Sequence, residues 1–192
     1  MLSPNLEPIQ NLMKFRLPHN YRGRSVLVVQ LWLLIQGSFF RWSPQVFYGF
    51  RRWLLSCFGA HVGIGVMIRP TATVTYPWNV VINDYAWVGD NVVIYSHGKV
   101  VIGKNAVVSQ RSYLCAASHD YTSANFEIYS SPIVIGEEAW LATDVFVAPG
   151  ITIGRGCVVG ARSSVFTDLP PMMVCVGSPA RPIKPRLARA VV

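Results

Sequence analysis

Acidic residues are scarce in this chain. Nine Asp and Glu stand against seventeen Lys and Arg in 192 residues, and the first sixty hold one acid, Glu7, beside seven bases. Only 14% of residues are charged and 52% are hydrophobic, which excludes a disordered chain. Cysteine is also sparse. Cys57, Cys115, Cys157 and Cys175 make no CxxC pair and no disulfide framework, so they read as small buried hydrophobes in a reducing compartment. The opening "MLSPNLEPIQ" lacks the basic-then-apolar order of a secretory leader. The longest apolar run, residues 26–35, is interrupted by Gln30 and is too short to span a bilayer. No nucleic-acid motif accompanies the net charge of +8, and the basic residues share no periodic face. An anionic cofactor, an acidic saccharide or an anionic membrane surface fits that charge as well.

A six-residue beat dominates what is present. Ile135, Leu141, Val147, Ile153, Val159 and Val165 are aliphatic, and five of the six residues that follow them are small. Four places after each aliphatic come Ala139, Val145, Ile151, Cys157, Ser163 and Leu169. The beat also runs through Ile64, Pro70, Tyr76, Ile82, Val88 and Ile94, and after a two-residue slip through Ile102, Val108 and Leu114. Period six suits neither a helix nor simple alternation, but it suits a short strand plus a tight turn. Three such units close a triangular coil of about 18 residues, and stacked coils form a parallel β-helix. Residues 61–170 give about five coils. Between Leu114 and Ile135 the beat stops, and residues 119–132 read as an excursion loop with His119 at its root.

Ahead of the solenoid, residues 1–60 read as a helical cap region with helices over about 25–40 and 44–57. Ser43 and Pro44 suit an N-cap and first turn, and Gly59 suits a helix end. Residues 171–192 read as a short extended tail.

The chain resembles the hexapeptide-repeat acyltransferases over about residues 60–185. The resemblance rests on "SHD" (118–120), "PIVIGEEAWLATDVFVAPGITIG" (132–154), "VVGARSSVF" (158–166) and "GSPARPIK" (177–184). Maltose and galactoside O-acetyltransferases share this layout. "VQLWLLIQGSFFRWSPQVFYGFRRWLL" and "YPWNVVINDYAWVGD" resemble more closely the O-acetyltransferases of colanic acid and related exopolysaccharide synthesis. The resemblance implies a mainly β fold, the left-handed parallel β-helix, and a homotrimer with acetyl-CoA, as co-substrate, between adjacent solenoids. It implies no metal.

It also assigns residues. His119 becomes the general base that takes a proton from a sugar hydroxyl, with Asp120 beside it to polarise the ring or touch substrate. Trp140 matches a tryptophan beside the coenzyme arm. Thr143 and Ala161 match positions that hold the pantetheine, and Arg181 and Lys184 match cations near the phosphates. Thr167 replaces a frequent lysine, which points to Arg162 as a substitute charge. His97 stands where maltose-type enzymes carry an acceptor-binding acid, and Gly89 where they carry an asparagine. Asp90 and Asn91 are the nearby candidates for the saccharide, or else solvated turn residues.

The leading function is therefore acetyl-CoA-dependent O-acetylation of a saccharide in exopolysaccharide synthesis, by a cytoplasmic enzyme. N-acetylation of an amino sugar and a non-catalytic scaffold are the rivals. The hexapeptide carbonic anhydrases need three zinc-binding histidines, two of them close in sequence, but Ala124 stands five residues after His119 and the beat from Ile64 onward holds only His97 and His119. A peripheral role at the inner membrane face is a further expectation. Leu31, Trp32, Leu33, Leu34, Phe39, Phe40 and Trp42 lie close to positive charges that include Arg51 and Arg52. The same helices could instead cap the open end of the solenoid.

Overall fold

The computed structural model describes residues 9–187, so Glu7 and Arg189 lie outside the described residues. Three sheets of five, seven and five strands form the sides of a parallel β-solenoid. The first face stacks His61–Val62, Val80–Ile82, Val100–Ile102, Ile133–Ile135 and Thr152–Ile153. The second stacks Met67–Ile68, Trp87–Val88, Val107–Val108, Trp140–Leu141, Val158–Val159 and Met173–Gly177, with Ala180–Pro185 returning antiparallel at its edge. The third stacks Thr73–Val74, Val93–Tyr95, Tyr113–Cys115, Phe146–Val147 and Ser164–Val165. Five coils are complete, and Met173–Gly177 begins a sixth.

Each coil sends one aliphatic inward from each face, as in Ile102, Val108 and Leu114, all fully buried. The small residue after it is required by the neighbouring coil. A Cβ at Gly136 would lie 2.6 Å from the Arg155 backbone nitrogen. Three residues after most aliphatics of the first and second faces the chain turns through the left-handed region, at Tyr85, Asn91, Asn105, Arg111, Glu138, Asp144 and Arg162 among others.

The first coil departs from the expected phase. Its inward residues are Val62, Ile68 and Val74, whereas Ile64 is 65% exposed and Pro70 is half-buried. Val80 pairs with Val100, whereas Val134 pairs with Thr152, so the early coils are two residues longer than the later ones. The extra residues sit at the corner between the third and first faces, near 75–79 and 95–99. The excursion leaves from that same corner one coil later.

Two helices close the N-terminal end: α1 (Val26–Ile35), continued by a wider turn Gln36–Phe40, and α2 (Tyr48–Cys57). Ser25 caps α1, its hydroxyl accepting from the Val28 N–H. The expected helix start at Ser43 is not found. The Ser43 hydroxyl donates to the Phe40 carbonyl (2.7 Å) and accepts from Arg51 (2.7 Å), and the helix begins at Tyr48. Gly59 does end α2, with φ +92°.

These helices stand in for a missing coil. The Trp32 indole donates to the Val74 carbonyl (2.7 Å), and the Gln36 side-chain carbonyl accepts the Val74 N–H (2.6 Å). Arg51 Nε donates to the Ile68 carbonyl (2.7 Å), and Arg52 donates to the Val66 carbonyl (3.0 Å). The open edge of the first coil is thereby met on its second and third faces. Arg51 is fully buried, and besides Ile68 it donates to Ser43, Pro44 and Gln45. It is a structural cation and not a surface charge, because its guanidinium has carbonyls on several sides.

Two of the four cysteines are not buried: Cys57 is exposed and Cys115 half-buried. Cys157 and Cys175 meet in the core with their sulfurs 3.8 Å apart, and burial pushes the Cys157 thiol up to about 12.

Arg51→Ala strips several buried acceptors of their donor and should lower unfolding stability by about 3 kcal/mol. Arg52→Ala, which loses a single bond, should cost less than about 1 kcal/mol. Denaturant midpoints check this, and equal stability of the Arg51 variant and the wild type would contradict the capping role.

Candidate active site

The excursion is an ordered hairpin and not a loose loop. Ala117–His119 pairs antiparallel with Ile128–Ser130, and His119 lies opposite Ile128. Once the chain leaves the solenoid its backbone groups lose the stacked coil as partner, and the hairpin supplies a new one. His119 is therefore carried on the hairpin, lifted off the packed corner on which the six-residue beat places it.

The His119 ring is held from several sides. Its Nδ1 lies 2.8 Å from the Phe126 carbonyl, and the Phe126 ring stacks on it at 4.2 Å and 7°. A carbonyl only accepts, so Nδ1 carries a hydrogen, and in the neutral ring the lone pair is on Nε2. Phe15 packs on the ring at 5.8 Å, and the Asn11 N–H donates to the Ala124 carbonyl (2.8 Å). The N-terminal segment thus braces the hairpin.

His119 opens into a cavity of about 480 Å³, walled also by Asp120, Thr122, Glu127 and Tyr129. Asp120 does not polarise His119, whose Nδ1 is taken by Phe126. The Asp120 carboxylate accepts from the Thr122 hydroxyl (2.6 Å) and N–H (2.9 Å), which hold it below the usual carboxylate range. It lines the cavity through a turn.

His97 sits at the same corner one coil earlier, packed among Tyr95 (4.3 Å), Tyr76 (4.8 Å) and Tyr21 (5.2 Å). Burial, and then the nearby Arg22, lower its pKa. Its Nδ1 is buried without a protein partner.

The other expected residues lie elsewhere. Asp90, Asn91, Thr143 and Ala161 stack at the corner between the second and third faces. Asp90 is held by Arg69 (2.8 Å) and Thr71 (2.9 Å), and Asn91 is a left-handed turn residue with φ +55°. Both therefore have local structural roles. The Thr143 hydroxyl donates to the Gln110 carbonyl (3.1 Å), and Ala161 is exposed beside it. Trp140 stands outward on the second face, its indole on the Ser109 hydroxyl (3.0 Å). Arg162 faces Asp144 at 3.6 Å, while the cation at Thr167 is Arg181, at 3.3 Å. Lys184 is exposed on the terminal hairpin. One strand of the third face thus separates His119 from the Thr143 corner of the same chain, roughly 20 Å at about 3.3 Å per residue.

Sequence reasoning missed Phe15, Asn11 and Phe126. Phe126 acts through its backbone carbonyl, which carries no sequence signal, and the contacts of Phe15 and Asn11 span more than a hundred residues. Among the described residues no group of three or more His, Cys, Asp or Glu could hold a metal ion.

A hexapeptide solenoid, a hairpin lifted from one corner and a histidine presenting Nε2 define a class, and the chain belongs to it: the hexapeptide-repeat acyltransferases, with their left-handed parallel β-helix. It is 54% identical over 179 residues, 93% of this chain and 98% of the relative, to a protein of Escherichia coli (strain K12) named as a colanic acid biosynthesis acetyltransferase, WcaF. It is 34% identical over 128 residues to the galactoside O-acetyltransferase of the same strain, covering 65% of this chain and 63% of that one. The structure of a maltose O-acetyltransferase from Clostridium difficile 630 is similar, with TM-score 0.77 and 26% identity over 85% of this chain and 90% of that one. A galactoside acetyltransferase in complex with coenzyme A gives TM-score 0.77 and 26% identity, covering 90% and 92%. No family model matches the chain.

Two outcomes follow from the histidines. In nitrogen NMR, neutral His119 should show its hydrogen on Nδ1, and the opposite tautomer would contradict the geometry. For His97 the fold favours the neutral ring, so as pH falls the unfolded chain takes the proton first. Stability should decrease as pH drops below about 6.5. A His97→Gln variant should lose that component, and an unchanged pH dependence would contradict it.

Proposed function

We propose that the protein transfers an acetyl group from acetyl-CoA to a sugar hydroxyl during exopolysaccharide synthesis. The observation that carries this reading is the His119 ring, which lines a cavity with its Nδ1 committed to the Phe126 carbonyl, leaving Nε2 as its free nitrogen. A general base needs this arrangement, and an imidazole is suited to accept a proton near neutral pH.

In this reading Nε2 takes the hydroxyl proton as the sugar oxygen attacks the thioester carbonyl. A new C–O bond forms and the carbonyl electrons move to oxygen. When they return, the C–S bond breaks and the proton passes from the imidazolium to the leaving sulfur. The products are an acetyl ester and coenzyme A.

Trp140, Thr143 and Ala161 would line the arm of acetyl-CoA, and Arg181 and Lys184 would meet its phosphates, where charge-assisted bonds are strongest. Asp90, Asn91, His97 and Asp120 remain the proposed saccharide contacts. The first two would act within the limits of their turn and ion-pair roles, because Asp90 is already bonded to Arg69 and Thr71. Since His119 and the Thr143 corner are far apart in one chain, a homotrimer is proposed in which one subunit's base faces its neighbour's corner. Closed cyclic assembly buries the sides without open-ended growth. The acceptor in this reading is a repeat unit carried on a lipid at the inner face of the plasma membrane.

Purified protein should move labelled acetyl from acetyl-CoA onto a saccharide as an alkali-labile ester, whereas an alkali-stable amide would mean amino-sugar chemistry. His119→Ala should fold and assemble as wild type but turn over about 10²-fold or more slowly. Wild-type turnover in that variant would overturn the assignment. An active monomer by light scattering would contradict the trimer.

A further inference from the structure

Capping uses one side of α1 and leaves the other bare. Trp32 and Phe40 are buried against the first coil. On the opposite stripe, at helical spacing, Leu27, Leu31 and Leu34 are 81%, 51% and 70% exposed. Ser38, the next position on that stripe, donates its hydroxyl to the Leu34 carbonyl, so its polar atom turns back onto the helix. Beyond Ser38 the surface continues into a groove of about 450 Å³ walled by Phe39, Trp42 and Phe47, each more than half exposed. A contiguous apolar surface of this kind marks an interaction site.

Charge selects the partner. Residues 9–83 contain eight bases and no acid. Arg51 is buried and Arg69 is paired with Asp90, but Arg24 and Arg41, which flank α1 and its continuation, are exposed. A second copy on this face would set arginine against arginine with no acid to answer it. An anionic bilayer supplies both an apolar interior and a diffuse negative charge. No helix among the described residues is long and apolar enough to cross a membrane, so α1 would lie in the membrane plane.

We propose that this face docks on an anionic lipid surface. Leu27, Leu31, Leu34, Phe39, Trp42 and Phe47 enter the acyl boundary, and Arg24 and Arg41 sit at headgroup level. The docking stands on this surface alone and does not depend on the acetyl-transfer reading, to which it adds the place where a lipid-carried acceptor would be met.

The test is co-sedimentation of the full chain with vesicles of phosphatidylcholine, or of phosphatidylcholine mixed with phosphatidylglycerol. The protein should pellet with the mixed vesicles and not the neutral ones, and salt should weaken the binding. Leu31→Glu with Leu34→Glu should lower partitioning by about tenfold or more, and Arg24→Gln with Arg41→Gln by about fivefold for each charge removed. Transfer to a soluble saccharide, measured in parallel, should be unchanged in these variants. Absence of transfer by the wild type would count against the acetyl-transfer reading and leave docking untouched. Loss of transfer in the variants alone would mean that the substitutions damage the fold and would overturn the docking test's premise. No pelleting with anionic vesicles, or equal pelleting of wild type and variants, overturns the proposal. So does a change of oligomeric state in the Leu31/Leu34 variant when the wild type ignores vesicles, since that assigns the face to contact between copies.

Discussion

Every coil of this solenoid depends on the backbone of the coil beneath it. Strand pairing runs along the solenoid axis, so an end coil would present a row of unpaired N–H and C=O groups to solvent. At the N-terminal end the side chains of Trp32, Gln36, Arg51 and Arg52 bond to the backbone of Val66, Ile68 and Val74. At the other end the strand Met173–Gly177 folds back on Ala180–Pro185. An apolar helix can end a β-solenoid because its polar side chains point at the edge while its apolar ones fill the bore.

The same constraint explains where the site stands. A wall of stacked strands is smooth, and close packing at glycines such as Gly136 leaves no room for a ligand between coils. Chemistry therefore has to be built where the stack is interrupted. The corner between the third and first faces is enlarged in each of the first three coils, successively by the segments at Tyr76, at His97 and at the His119 hairpin. The first two enlargements and the incoming N-terminal segment fill with aromatic rings. The third is held open as a cavity lined by His119.

The sequence revealed the solenoid because its signal is local. An aliphatic, a small residue and a second inward residue repeat whatever the surroundings, and the break at 119–132 marked the hairpin. The phase of the first coil was misread because Ile64, Pro70 and Tyr76 keep the six-residue beat by accident of composition, while Val62, Ile68 and Val74 are the residues that point in. Arg51 looked like surface charge because nothing local shows that a cation will be surrounded by carbonyls from a distant coil. His119 was legible by its place at the break. Its tautomer was not, since that depends on a backbone carbonyl seven residues away. The turn reading of Asp90 and Asn91 was open in the sequence; the stacked coils add the left-handed conformation at Asn91 and the bonds from Arg69 and Thr71 that hold Asp90.

In the proposed assembly, His119 of one chain works on acetyl-CoA held at the Thr143 corner of another. Subunit mixing addresses it directly. Chains carrying His119→Ala and chains carrying Ala161→Trp, which fills the proposed coenzyme corner, should each be inactive alone. Co-refolded in equal amounts, they should recover activity, because about a quarter of the randomly formed interfaces pair an intact histidine with an intact corner. A mixture as inactive as its components would contradict the shared site and place both functions within one chain.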